Sequence, residues 1–169
     1  QVKAGDRLRI RGPRNHFRLD EGAKRLVFVA GGIGITPIAA MARRARTLGI
    51  DYTLHYCGRS RAAMAFVDEL SALHGERLSL HVSGEGLRLD LAALLSTPEE
   101  GVQIYACGPL RMLESLDKAC AHWPEDALKV EHFESTLGTL DPRKEHAFEV
   151  ELKDSGLTLP VRADQTLLA

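Results

Sequence analysis

The stretch AGGIGITP, Ala30 to Pro37, lies between an apolar run, RLVFVA (Arg25–Ala30), and the segment IAAMARRARTLG that follows it. Glycine-rich turns between a strand and a helix often hold phosphate, because the bare N–H groups and the dipole of a helix N-terminus both favour an anion. Pro37 suits the first helical position, where its missing N–H is not needed. That placement makes Thr36 the N-cap, with its hydroxyl open to helix N–H groups or to a ligand. Gly31, Gly32 and Gly34 allow positive φ and a close approach. No Gly-Lys-Ser/Thr follows, which excludes a Walker loop, and Pro37 stands where a GxGxxG fingerprint has its last glycine. The same turn also serves as a tight strand–helix connection with no ligand.

Outward from this turn, strands and helices alternate from Lys24 to about Phe133. Arg25–Ala30 is apolar and β-branched, fit for a strand buried on both faces. After the turn, Ile38, Met41, Ala42, Ala45 and Leu48 form one helical stripe that Gly49 ends. DYTLHYC (Asp51–Cys57) predicts a second strand, and FVDELSALHG (Phe66–Gly75) a helix with Phe66, Val67, Leu70 and Leu73 on one face. LSLHVS predicts a third strand and LDLAALLS a short helix. VQIYACG (Val102–Gly108) predicts a fourth strand, PLRMLESLDKACAH a helix, and LKVEHFE (Leu128–Glu134) a fifth strand. Such alternation predicts an α/β fold, a doubly wound five-stranded parallel sheet with helices on both faces. Ligands in such sheets sit at the carboxyl ends of the strands. Three short stretches fall there: GGIGITP, GRSR and CGP.

The composition narrows the function classes. Of 169 residues, 44% are hydrophobic and 27% charged, with a net charge of −1, which fits a globular protein with no pull on nucleic acid. An aromatic content of 5% is too low for a base-stacking surface. No apolar run reaches the ~20 residues of a membrane span, and no secretory leader is seen. The three cysteines, Cys57, Cys107 and Cys120, make no disulfide framework or CxxC pair, so a reducing cytoplasm is expected. The seven histidines make no HxH or HExxH pattern, and no metal site is expected. The ends read as pieces of neighbours: KAGDRLRIRGP as a strand arriving from a preceding domain, and FEVELKDSGLTLPVRADQTLLA as two strands and a first helical turn. TLGTLDPRKEH (Thr136–His146) is polar and turn-rich, as a linker is.

The stretch after the second strand, CGRSR (Cys57–Arg61), stands where a dinucleotide fold reads the adenosine ribose. An acidic residue there favours a free 2′-hydroxyl. Arg59, Ser60 and Arg61 instead offer donors, and no carboxylate follows the strand to repel a phosphate. A solvated basic turn is the plain alternative. In YACGP (Tyr105–Pro109), Cys107 is expected at the strand's end, facing the cleft, or as a small buried apolar residue. Trp123, before Pro124, reads as a core anchor near a turn.

The order AGGIGITP…HYCGRS…YACGP…HFE resembles the pyridine-nucleotide domain of the ferredoxin–NADP reductase superfamily. GPRNHFRL (Gly12–Leu19) resembles the last strands of that superfamily's flavin barrel, and FEVELKDSGLTLPV resembles the start of a plant-type 2Fe-2S ferredoxin domain. This domain order is typical of the phthalate dioxygenase reductase family, which includes vanillate O-demethylase reductases. The resemblance implies the end of a flavin β-barrel over 1–22, an NAD(P)-binding domain over 23–135, a linker over 136–146 and a truncated β-grasp ferredoxin domain over 147–169. It also implies a function. NAD(P)H passes a hydride to FMN or FAD, and electrons leave singly through a 2Fe-2S cluster to a Rieske-type oxygenase, with the reductase a monomer.

By position, Gly31, Gly32, Gly34, Thr36 and Pro37 are implied to line the pyrophosphate and nicotinamide ribose. Arg59, Ser60 and Arg61 meet the adenosine half, and Cys107, Gly108 and Pro109 lie by the nicotinamide. Glu134 matches the acid that orders the flavin–nicotinamide site, which makes Cys107 and Glu134 the implied catalytic pair. Thr136 stands where the family usually has an aromatic. The family's Arg-x-Tyr-Ser flavin motif and CxxxxCxxC cluster ligands are not in this sequence, so flavin and cluster are not expected to be held firmly here. NADH is the expected cofactor, with NADPH accepted. Two other classes stand beside this one: a nucleotide-binding regulatory module of the same fold without redox chemistry, and a small-anion-binding α/β domain.

Overall fold

A computed structural model describes residues 3, 7, 15–133, 146–152 and 155–162. The chain divides into two compact units, Gln1–Phe133 and Glu134–Ala169. In the first, five strands form one parallel sheet: β1 (Arg25–Gly31), β2 (Asp51–Gly58), β3 (Leu78–Val82), β4 (Val102–Cys107) and β5 (Leu128–Glu131). The helices are α1 (Ile35–Leu48), α2 (Val67–His74), α3 (Leu91–Leu94) and α4 (Leu110–Ala119). Strand order is β3-β2-β1-β4-β5. The chain winds outward from β1 to β3, then returns to place β4 on the other side of β1.

Alternation along β1 explains the layers. Leu26, Phe28 and Ala30 join a core with α1, Leu70 of α2 and the rings of Tyr52, Tyr56 and Tyr105. Val27 and Val29 face the opposite layer with Ile104, Ala106 and the Leu113 and Leu116 stripe of α4. Both faces of β1 and β4 are covered, so their residues are almost all buried. Each of the larger ones, Leu26, Val27, Phe28, Val29, Val102 and Ile104, is worth about 1.5–3 kcal/mol against exposure. The β2–β3 half differs. There His55 Nδ1 and His81 Nε2 lie 3.2 Å apart on the face that carries Thr53, and no described atom pairs with the buried His55 Nε2.

The expected stripes hold with local differences. Leu48 is 40% exposed although its helical neighbours in the stripe are buried. α2 begins one residue later than expected, because Phe66 takes a left-handed conformation (φ 61°) at its N-cap and is left exposed. The buried positions of α2 are Leu70 and His74, whose Nδ1 lies 2.7 Å from the Tyr52 hydroxyl. α3 is a single turn started by Asp90, whose carboxylate accepts from Ala93 N at 2.9 Å. Trp123 is a partly buried anchor, its indole N–H donating to Leu95 O at 2.8 Å.

The segment entering β1 is sewn to the sheet. Phe17 is buried and meets Tyr105 edge-on at 5.5 Å between ring centroids. The Tyr105 hydroxyl accepts from Asp20 N at 2.7 Å and donates to Arg18 O at 3.0 Å. In the second unit, β6 (Phe148–Leu152) and β7 (Leu157–Val161) form an antiparallel hairpin. The two strands expected there are present. Most of the expected linker, and the expected helical turn after Val161, lie outside the described residues. Among the described residues no helix is long and apolar enough to cross a membrane.

Candidate nucleotide site

The strand order puts the topological switch point between β1 and β4, where a crevice opens at the carboxyl ends of the strands. GGIGITP leaves β1 and CGP leaves β4, so adjacent strands deliver the two glycine turns to the same place. The turns pack backbone on backbone. A Cβ on Gly34 would overlap the Cys107 carbonyl. One on Gly31 would lie 2.7 Å from Pro109 Cδ, and one on Gly108 3.0 Å from Gly31 Cα.

This contact corrects the reason for the glycines. Only Gly32 has a positive φ, 55°, and nothing lies within 4 Å of its missing side chain. Gly31 (φ −123°) and Gly34 (φ −60°) have ordinary backbones, and they are glycines because the neighbouring turn leaves no room.

The helix start is also corrected. A single 3-10 turn, Gly32–Gly34, runs directly into α1, so Gly34 is the N-cap. Thr36 and Pro37 then fall inside the first turn. The Thr36 hydroxyl donates to Ile33 O at 3.0 Å rather than capping helix N–H groups. Pro37 is still tolerated there, because N–H groups in the first turn have no intrahelical partner. No side chain caps α1 and no acid sits in its first turn, while the Ile35 amide is taken by the preceding 3-10 turn, donating to Gly32 O and Ile33 O. Ile33 and Thr36 are exposed beside it, and Pro109 and Leu110 are exposed on the facing turn.

Cys107 does not face the cleft. It is fully buried in the core that contains Phe17 and Tyr105, because alternation along β4 turns it to the α1 side. Burial first, and the Glu131 carboxylate second, push its thiol up to about 11. Glu131 is its register partner on β5. Glu134 lies outside the described residues, and Glu131 is the described carboxylate beside Cys107.

Arg59, Ser60 and Arg61 are exposed beyond the end of β2. The structure adds a carboxylate the sequence reading missed. Arg61 Nε donates to Glu85 Oε1 at 3.1 Å and Oε2 at 3.3 Å. Glu85 comes from the turn after β3, and that turn is stitched to the β2 turn. Gly84 N donates to Arg59 O at 2.9 Å, and Ser83 Oγ donates to Gly58 O at 3.3 Å. The available signal was SGEG, a turn placed directly after a strand that neighbours β2. A separate concavity of about 610 Å³, lined by Leu113, Asp117, Trp123 and Val130 among others, lies along α4 and β5 and contains none of the expected residues.

No family model matches the chain. It is 43% identical over 168 residues to the phenoxybenzoate dioxygenase subunit beta of Ectopseudomonas oleovorans, covering 99% of this chain and 51% of that protein. It is 38% identical over 172 residues to the vanillate O-demethylase oxidoreductase of Pseudomonas putida, covering 99% of this chain and 54% of that protein. The chain thus spans about half the length of such relatives. Among solved structures, phthalate dioxygenase reductase, a modular structure for electron transfer from pyridine nucleotides to 2Fe-2S, superposes with a TM-score of 0.74 at 31% identity, over 92% of this chain and 49% of that one. An intact type IV self-sufficient cytochrome P450 monooxygenase superposes with a TM-score of 0.74 at 60% identity, over 94% of this chain and 21% of that one. With its switch point between two interlocked glycine turns, the chain is a homologue of such oxygenase reductases over about half their length, and it shares with phthalate dioxygenase reductase a ferredoxin–NADP reductase-like fold.

Proposed function

We propose that the first unit binds NAD(P)H across the β1/β4 switch point and serves as the nucleotide-binding domain of an oxygenase reductase. The observation that carries this is the pair of interlocked turns beside an α1 N-terminus that has no side-chain cap and no acid in its first turn. Gly32 and the amides of that N-terminus meet the pyrophosphate, with Thr36 and Pro37 beside the nicotinamide ribose. Gly31, Gly34 and Gly108 hold the two turns together, and Pro109 borders the nicotinamide. Arg59, Ser60 and Arg61 meet the adenosine half. Cys107 acts by position: a neutral, buried thiol under the turn fixes where the nicotinamide rests, and Glu134 orders the flavin side.

In the whole protein, FMN or FAD held elsewhere would accept the hydride of the nucleotide, and a 2Fe-2S cluster would supply one-electron transfer onward; this chain's own part is to hold and orient the nucleotide. We assign domain borders of 23–135 for the nucleotide domain and 147 onward for the ferredoxin-like domain. We place the reductase in the cytoplasm, working as a monomer.

The test is calorimetric titration of the chain with NADH, NADPH and ADP-ribose. Saturable binding of at least one is expected, and no heat with any of them overturns the proposal. In the whole protein, Cys107→Ala should slow flavin reduction in stopped flow with little change in nucleotide affinity, since small misplacements of reacting atoms cost rate steeply.

The electron acceptor has two readings. The relatives named as dioxygenase and demethylase components favour a Rieske-type oxygenase. The 60% identity to a segment of a self-sufficient cytochrome P450, against 31% for phthalate dioxygenase reductase, favours a haem oxygenase. The carbon monoxide difference spectrum of the reduced whole protein separates them, since only a haem–thiolate acceptor gives the P450 band.

A further inference from the structure

We propose that the groove between α4 and β5 is a protein-docking site, and that its occupant is a basic amphipathic helix of a partner protein. The groove contains none of the residues assigned to the nucleotide, so this proposal stands apart from the nucleotide reading.

The groove holds about 610 Å³, and its floor is apolar. Leu113 is buried there, with Trp123 and Leu128 half-buried beside it. The Trp123 indole N–H is already spent on Leu95 O, which fixes the ring in place. Two more aliphatic side chains stand open on the walls, Leu110 at 49% and Val130 at 38% exposed. One wall is α4, and the other is β5, the outermost strand of the sheet. An apolar patch open to water and rimmed by polar groups marks a contact surface.

The rim gives the charge of the partner. Glu114, Asp117 and Glu125 line the groove, and none has an ion-pair partner among the described residues. The cations of the same elements, Arg111, Lys118 and Lys129, do not line it. Lys129 donates instead to Asp126 O at 2.8 Å. Glu114 stands three residues after Arg111 and four before Lys118, spacings at which a solvated helix forms ion pairs. Neither pair is formed, and both acids of α4 stay at the groove.

The spacing gives the form of the partner. Glu114 and Asp117 are separated by about 4.5 Å along the helix axis. Glu125 lies beyond the end of α4. One ammonium cannot meet all three. Lysines or arginines on successive turns of a facing helix can, while the apolar stripe of that helix covers Leu110, Trp123 and Val130. The same rim repels nucleic acid and anionic membranes. A second copy of the chain, at net charge −1, brings no surplus of cations.

The experiment is fluorescence anisotropy of the whole protein with a labelled peptide of about twelve residues, leucines at i, i+3, i+4 and i+7 and lysines elsewhere. A twin with glutamates in place of the lysines is the control. Saturable binding of the lysine peptide is expected, with the glutamate peptide at least tenfold weaker. Amide exchange should slow on binding within residues 110–132. Glu114→Gln combined with Asp117→Gln should weaken the lysine peptide about tenfold, and Val130→Lys should abolish binding. Arg111→Gln and Lys118→Gln, on the same helix but off the groove, should not weaken it. All variants should unfold at the wild-type urea concentration, so that a loss reports the surface and not the fold. Equal binding of the two peptides, or an unchanged affinity in the double variant, overturns the proposal. Binding by the 169-residue chain but not by the whole protein also overturns it, because the protein's own remainder then fills the groove. A dimer in sedimentation that Val130→Lys dissolves does the same, because the occupant is then a second copy.

Discussion

The two sides of the sheet place their turns by different means. Between β1 and β4 the turns meet at close contact: Gly34 on the Cys107 carbonyl, Gly108 on the Gly31 backbone, and Gly31 against the Pro109 ring and the Met112 side chain. No charge is involved, and a single added methyl would break the fit. Between β2 and β3 the turns share one close glycine, Gly84 on the Arg59 carbonyl, and add one backbone bond, one hydroxyl and an exposed ion pair. The first contact is steric and all-or-none, so it suits a part that must not move. The second adds an exposed ion pair, whose charge can change without threatening the fold.

Gly34→Ala should strike hardest at this division. Overpacking a core typically costs about 1–3 kcal/mol, and here the obstacle is backbone that cannot rotate away, so a loss of about 3 kcal/mol or more is expected. Gly32→Ala, two residues earlier, should cost only about 1 kcal/mol, the penalty of a left-handed backbone in open space. Urea denaturation of both variants measures the gap. Equal losses would mean that the turns are not locked together.

The next effect belongs to the β2–β3 half. Burial first, then His81 and Arg25, push His55 down from 6.5 to about 4. The folded chain therefore resists a proton that the unfolded chain accepts. Stability gained from a neutral His55 is complete above pH 6.5 and lost as pH falls from 6.5 towards about 4. His55→Gln should flatten that part of the stability–pH curve. An unchanged curve would show that the histidine pair is freely hydrated.

A smaller, kinetic effect concerns the thiols. Burial holds Cys57, Cys107 and Cys120 each at about 11. At pH 8 only about one thiol in a thousand is then ionised. An uncharged alkylating reagent should modify none of them at the rate of a free cysteine, and all three after denaturation. Fast labelling of Cys107 in the folded chain would place it in the cleft after all.

The smallest effect sharpens the contrast from the other side. Glu85→Gln should change the unfolding free energy by about 0–1 kcal/mol, since both partners of its ion pair are exposed. A larger loss in urea titration would make the β2–β3 turns as structural as the β1–β4 pair.

This contrast also explains what could be read in advance. Parallel strands buried on both faces announce themselves as apolar runs, and RLVFVA and VQIYAC did so. GGIGITP and CGP were legible as turns at strand ends, because glycine and proline leave few conformations open. Their reason was not. Whether a glycine serves a positive φ or a neighbour's backbone depends on strand order, and only β4 lying beside β1 makes Gly34 a contact. The N-cap lies two residues earlier than Thr36, because a 3-10 turn can precede a helix without a separate sequence signal. Cys107 followed its strand parity into the core. Glu85 was missed because its partner is 24 positions away, and the pairing of β2 with β3 creates the contact.

The Tyr105 hydroxyl carries a consequence for anyone shuffling modules between proteins. It is buried at the centre of β4, and its two partners, Asp20 N and Arg18 O, both precede β1. A transplant cut at Lys24, just before β1, would strand that hydroxyl without either partner and uncover the place where Phe17 packs. An orphaned buried polar group costs about 1–3 kcal/mol, a large share of what a small domain has to spare. The practical border of the interchangeable piece therefore lies ahead of Asn15, inside what looks like the preceding domain.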